Sequence, residues 1–369
     1  YDTTDYYQID PSFGTTEDLK ELVQKAHERG MKVVLDAVYN HTGREFFAFA
    51  DILENGEKSK YRDWYFIDGF PLKSEWGEIP NFKCFGYYGG MPKLNLKNPE
   101  VEKYITDVAC YWIKECDIDG WRLDVGDEIS HFFWKNFRKA VKAVKKDMLI
   151  IGEIWHYAGD FLEGDEWDTV MNYPFYLNLI DLLADEKITV SQFVQNLGYL
   201  KGRLHKNCYP LMWNLIDSHD TARFLHLCND NKKKQHLAAA FQLLLPGMPM
   251  IYYGDEYAMP GANDPDCRRG MYWDEEYQDK EMYEWYKRLI QVRKSHACIV
   301  EGELAGSVTE DEEGTVVLIR KNGEETIAMI FNCSSSAKKF NEYTQKYNLL
   351  TENTFDGNVE GFDAAVIVL

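Results

Sequence analysis

The stretch IDGWRLDVGDEI, residues 118–129, decides the fold. A short apolar run ends on Asp124, and Arg122 stands two residues before it. Side chains alternate along a strand, so Arg122 and Asp124 share one side. MLIIGEIW (148–155) ends in the same way on Glu153, and WNLIDSHDTARF (213–224) carries Asp220 beyond its apolar residues. Strands of a (β/α) barrel end like this, with apolar side chains filling the core and a functional side chain at the C-terminal rim.

Working outward, TEDLKELVQKAHER (16–29) places Leu19, Leu22, Val23 and Ala26 on one helical face before Gly30. It leads into the strand pattern of MKVVLDAVYNHTG (31–43). Helices are expected over 98–115, 131–146, 191–204, 232–245 and 279–295, interleaved with strands in IDGWRLDV, MLIIGEIW, DTVMN (168–172), LMWNLID (211–217) and MPMIYYGDE (248–256). These make six strand and helix pairs of a parallel α/β architecture. Residues 44–97 break the rhythm as a long aromatic insertion, and a loop of such length inside a domain is normally functional. After about residue 300 the helical period stops. TVVLIRK, TIAMIFN and AAVIVL then read as strands of an antiparallel domain.

The 369 residues include 41 Lys and Arg against 61 Asp and Glu, a formal charge of −20. That balance disfavours nucleic acid and anionic membrane as partners and suits a neutral polar substrate. Eight cysteines lack metal-site spacing and read as reduced thiols of a cytoplasmic protein. No membrane span or signal peptide is legible. The 10 Trp, 24 Tyr and 20 Phe suit the apolar faces of sugars. In the insertion, Phe47, Phe49, Trp64, Tyr65, Phe66, Tyr87 and Tyr88 read equally as cleft-lining and as packing residues.

A single strand-end acid more often pairs a cation or caps a helix than catalyses. Three in this context point instead to glycoside hydrolysis. A retaining glycosidase holds a nucleophilic carboxylate and an acid/base carboxyl about 5 to 5.5 Å apart. Asp124 and Glu153 on adjacent strands can meet that spacing. The Arg122 charge is expected to keep Asp124 ionised, and the apolar neighbours Ile154 and Trp155 to raise the Glu153 carboxyl. Asp36, His41 and His219 also admit a metal reading, but two-carboxylate cleavage needs no metal.

DAVYNH (36–41), GWRLDVGDE (120–128), GEIWH (152–156) and LIDSHD (215–220), in this order, resemble the four signature regions of the α-amylase family of retaining glycosidases. MPKLN (91–95) with the DVGDE and EIWH variants is similar to the cyclomaltodextrinase, neopullulanase and maltogenic amylase subfamily, and the likeness runs from Tyr1 to Leu369. It implies an α/β (β/α)8 TIM-type barrel: residues 1–43 and 98–298 as a partial barrel, 44–97 inserted after its third strand, and 299–369 as a C-terminal β-sandwich. The barrel's first two strands are expected to lie outside this sequence, which then reads as part of a longer protein with strained or unpaired strand edges.

By the same resemblance Asp124 is the nucleophile, Glu153 the acid/base, and Asp220 the residue that grips sugar hydroxyls. Arg122 and His219 join them, and Asp36, His41 and Tyr1 shape the subsite of the reacting glucose. Glu128 and Trp155 match the acceptor side, Asp264 and Arg268 the donor side. The implied substrates are cyclodextrins, maltodextrins or pullulan cleaved at α-1,4 bonds, with transglycosylation as a side reaction. The alternatives are an oligo-α-1,6-glucosidase or glucan transferase, and a catalytically silent carbohydrate-binding subunit. No cofactor is required, although Asn40 matches a position where many members hold structural calcium. The longer protein is expected to form a homodimer.

Overall fold

Residues 1–73, 79–205 and 207–369 are described by a computed structural model of the chain. They divide into two compact units, the first formed by residues 1–154 and 158–170, the second by 155–157 and 171–369.

The first unit contains α1 (Thr16–Glu28), β1 (Val34–Ala37), α2 (Phe47–Asn55), α3 (Pro99–Cys116), β2 (Gly120–Leu123), α4 (His131–Val144), β3 (Leu149–Gly152) and β4 (Thr169–Val170). Capping residues set the helix starts. Thr15 and Asp18 form a reciprocal capping box, and the Asn98 and Ser130 side chains accept from Glu100 N and Phe133 N. Each such cap contributes about 1 kcal/mol. α3 buries Val101, Ile105, Val108 and Trp112, and α4 buries Phe133, Trp134, Phe137 and Val141. Both faces turned inward follow the 3.6-residue period of their sequences.

The strands form one parallel sheet in the order β1-β2-β3-β4. Asp36 lies opposite Arg122, and Leu123 opposite Gly152. Asp124 and Glu153 therefore stand at the same level, one residue beyond β2 and β3. Backbone bonds from Asp124 N to Ala37 O and from Glu153 N to Leu123 O extend the ladder to them. At the other end of β2, Asp119 accepts from Val33 N, His27, Lys32 and Lys145. These partners hold its carboxyl well below the usual range despite burial.

The insertion belongs to this unit, apart from residues 74–78, which lie outside the described residues. Its aromatics are mostly packing residues. Phe49, Trp64 and Tyr65 are buried, and Phe47 sits edge-on to Tyr61, Trp64 and Tyr104. Of the seven aromatics that admitted both readings, Phe49, Trp64 and Tyr65 are buried and Phe47, Tyr87 and Tyr88 are exposed. The physical reason is mutual burial: a small insertion of this composition has few aliphatics and builds its core from rings.

The second unit contains α5 (Tyr173–Leu179), α6 (Val190–Arg203), β5 (Trp213–Asn214), α7 (Phe224–Leu227), α8 (Lys232–Leu244), β6 (Met248–Pro249), α9 (Lys280–Ser295) and α10 (Ala297–Glu301). β5 and β6 pair in parallel, and Met171 bridges Trp213 in the same sense. Eight strands follow: β7 (Glu303–Glu310), β8 (Thr315–Asn322), β9 (Glu325–Asn332), β10 (Lys338–Lys339), β11 (Tyr347–Asn348), β12 (Asn353–Thr354), β13 (Asn358–Val359) and β14 (Asp363–Val368). Six of them form an antiparallel sheet in the order β12-β11-β14-β9-β8-β7. One face, with Val316, Leu318, Met329 and Phe331, packs on the largely buried α8, through its apolar residues Leu237–Phe241 and Leu243–Leu244. The alternate residues Val317, Ala328, Ile330 and Ile367 cover a second core with Phe340 and Phe355.

Candidate active site

In the first unit, Arg122 is the hub. Its Nη1 lies 2.9 Å from Asp36 Oδ1 and 2.9 Å from Asp124 Oδ1, and its Nη2 lies 2.7 Å from Glu153 Oε1. Three carboxylates thus share one guanidinium. They overcome the burial that would weaken it, and its pKa rises above the ordinary arginine value. Glu153 is buried, and besides its contact with Arg122 its Oε2 accepts from Val125 N at 3.1 Å. That hydrogen bond follows from the turn after β2. Val125 adopts φ +47°, rare for a β-branched residue, and this aims its N–H at Glu153.

His41 is buried, stacked on Phe85 with ring centres 5.4 Å apart, and its Nε2 lies 3.2 Å from Tyr1 O. Burial, the neighbouring amino terminus and Lys93 bring its pKa down to about 4. The Tyr6 hydroxyl donates to His41 O and Val38 O, pinning this loop. The Tyr1 side chain is exposed.

Glu128 faces a structural partner. Lys93 Nζ donates to Asn40 Oδ1 at 2.6 Å and to Glu128 Oε2 at 2.7 Å. The Lys93 ammonium thus ties Asn40 to Glu128. Among the described residues no group of three or more His, Cys, Asp and Glu could hold a metal.

In the second unit, His219 Nε2 lies 3.1 Å from Asp220 Oδ2, and Arg268 Nη2 lies 3.1 Å from Asp220 Oδ1. Arg268 Nε reaches Asp264 Oδ1 at 2.8 Å and His219 O at 2.9 Å. Trp155 is partly exposed and stacks on Tyr173 at 3.9 Å. The structure thus assembles Asp36, Arg122, Asp124 and Glu153 in one unit, and His219, Asp220, Asp264 and Arg268 in the other.

Several supporting residues were not singled out from the sequence. Arg223, fully buried, reaches Asp255 at 3.1 Å, Tyr253 O at 2.6 Å and Cys267 O at 3.1 Å, which fixes the loops carrying Asp220 and Arg268. Burial pushes the carboxyls of Asp217 and Asp255 up. A readable signal existed in the charged residue of TARF, three residues after Asp220. The partner of Arg223 lies 32 residues on, and no local pattern announces it.

The profile of the alpha-amylase catalytic domain matches residues 1–278. A cyclomaltodextrinase of Geobacillus thermopakistaniensis is 48% identical over 337 residues, 91% of this chain and 57% of that protein. Neopullulanase 2 of Thermoactinomyces vulgaris is 43% identical over 90% of this chain and 56% of its own length. The chain therefore spans less than two thirds of the length of these relatives. A solved cyclomaltodextrinase structure aligns with all of this chain and 65% of its own, at 39% identity and a TM-score of 0.94. That likeness identifies the parallel strands as elements of a TIM-type barrel and β7–β14 as its antiparallel C-terminal sheet. With the catalytic-domain profile matched over three quarters of its residues, the chain belongs to the alpha-amylase family.

Proposed function

We propose that this chain carries the catalytic machinery of a retaining glycosidase acting on α-1,4 bonds of cyclodextrins, short maltodextrins or pullulan. The observation that carries the reading is the joint grip of Arg122 on Asp124 and Glu153, at level positions beyond adjacent parallel strands. Asp124 attacks the anomeric carbon as the glycosidic C–O bond breaks, while Glu153 gives its proton to the leaving oxygen. Water then cleaves the glycosyl ester, passing its proton to Glu153 and freeing Asp124. A sugar hydroxyl in place of water gives transglycosylation.

His41, held neutral by burial, is the histidine that the α-amylase resemblance assigns to the subsite of the reacting glucose. Asp36 and Tyr1 complete that subsite. Asp220, aligned by His219 and Arg268, takes further hydroxyls, with Asp264 beside it and Trp155 offering an acceptor-side ring. Glu128, held by Lys93, shapes the acceptor side. No cofactor enters the reaction. The whole protein works as a homodimer and in the cytoplasm, the second of these readings being supported by eight free cysteines.

Sugar release from β-cyclodextrin, pullulan and isomaltose is the test, with Asp124→Asn alongside. Release from the first two that Asp124→Asn lowers by about 10⁴-fold or more supports the reading. A folded longer protein carrying this chain that binds these glucans without cleaving them would overturn it in favour of a binding subunit, and cleavage of isomaltose alone would reassign the linkage.

A further inference from the structure

The glycines flanking the two reacting carboxylates rest on one ring. A Cβ built on Gly152, the residue before Glu153, would overlap the Trp167 indole, and one on Gly126, two residues after Asp124, would come within 2.8 Å of the same ring. Trp167 is 1% exposed and is itself held from behind. Phe161 stacks on it at 4.0 Å and 4°, and His131 stacks on Phe161 at 4.3 Å and 24°. His131 Nδ1 lies 3.0 Å from both oxygens of the buried Glu166. Trp134 meets the indole edge-on and donates from Nε1 to Gly126 O at 2.8 Å.

The turn so gripped is strained. Val125, between Asp124 and Gly126, has the positive φ that sends its N–H to Glu153 Oε2. Such a conformation persists only where surrounding contacts over-determine it. The Trp167 Nε1 is buried without a hydrogen-bond partner among the described residues, a cost a phenylalanine would avoid.

We propose that Trp167 is a positioning residue: its ring is the surface on which Gly126 and Gly152 are laid, and it keeps the Val125 turn and the Glu153 carboxylate in register. It touches no substrate. The kinetic part of this proposal rests on the glycosidase reading, and the conformational part on geometry alone.

The experiment compares wild type, Trp167→Ala and Trp167→Phe by amide hydrogen exchange and by steady-state hydrolysis of β-cyclodextrin. In Trp167→Ala, amides of residues 121–129 exchange at least about tenfold faster while α3 and the β8–β9 hairpin keep their protection. The kcat falls about 100-fold and KM stays within about threefold. Trp167→Phe, which keeps a ring in the column, recovers part of both losses. If Trp167→Ala does not fold, Trp167→Leu takes its place, leaving a smaller cavity than alanine does but no flat face. Unchanged exchange at 121–129 in a folded variant would overturn the proposal, as would a kcat equal to wild type. Should wild type itself leave the glucan intact, the glycosidase reading falls, and the exchange comparison still decides what Trp167 does.

Discussion

Arg122 carries a load that lysine cannot. Its fork reaches Asp36 and Asp124 with one nitrogen and Glu153 with the other, whereas an ammonium is a single point charge. Arg122→Lys should therefore leave the protein folded and lower kcat on β-cyclodextrin by roughly 100-fold or more, since it loosens the relative placement of two reacting groups. A kcat within threefold of wild type would show that charge alone suffices. His41 gives a second prediction. Its pKa is down at about 4 from an ordinary value near 6.5, so the unfolded chain binds the extra proton between those values. The stability it contributes is complete above pH 6.5 and disappears as pH falls toward 4, by at most about 3 kcal/mol. The melting temperature of wild type should then fall more steeply over that window than that of His41→Gln, and parallel curves would refute the assignment. At this scale the sequence was informative where a period of two set direction, as for Arg122 and Asp124. It was not where the partner is distant: the Lys93 ammonium on Asn40 and the Val125 N–H on Glu153 arise only once the chain is folded.

Helix starts could be read because the capping side chain is local. Thr15, Ser130, Thr189 and Asn231 each accept from a backbone N–H two or three residues on, and the expected starts fall within a residue or two of α1, α4, α6 and α8. α5 escaped notice because Asn172 caps it immediately after the strand-like DTVM, with no polar linker between. The same locality limits what a cap is worth. Thr189→Ala, which breaks the box with Gln192, should cost about 1 kcal/mol in urea unfolding. Arg223→Met should cost about 3 to 5 kcal/mol, because it strands Asp255 and two loop carbonyls in the interior. If the two variants were equally stable, the buried ion pair would not be what fixes the loops bearing Asp220 and Arg268.

Over the whole chain, two opposing terms govern how the molecules meet one another. β1 lies at the edge of its sheet, beside a cavity of about 500 Å³ lined in part by Ile9, Phe13, Leu19, Leu22 and Leu35. Phe13 is 86% exposed and Leu22 56%, so apolar surface borders a strand edge, a combination that favours pairing between chains. Against it stands the formal charge of −20, which repels like molecules at long range. Salt separates the two, since the screening length shrinks from about 10 Å at 0.1 M to about 3 Å at 1 M while apolar attraction persists. Light scattering of the chain at fixed concentration should therefore show more self-association as salt rises from 0.1 to 1 M. In the double variant Phe13→Ser, Leu22→Lys the rise should vanish with the fold unchanged by circular dichroism. Scattering that instead falls with salt in both proteins would mean that charge patches, and not this apolar face, bring the molecules together.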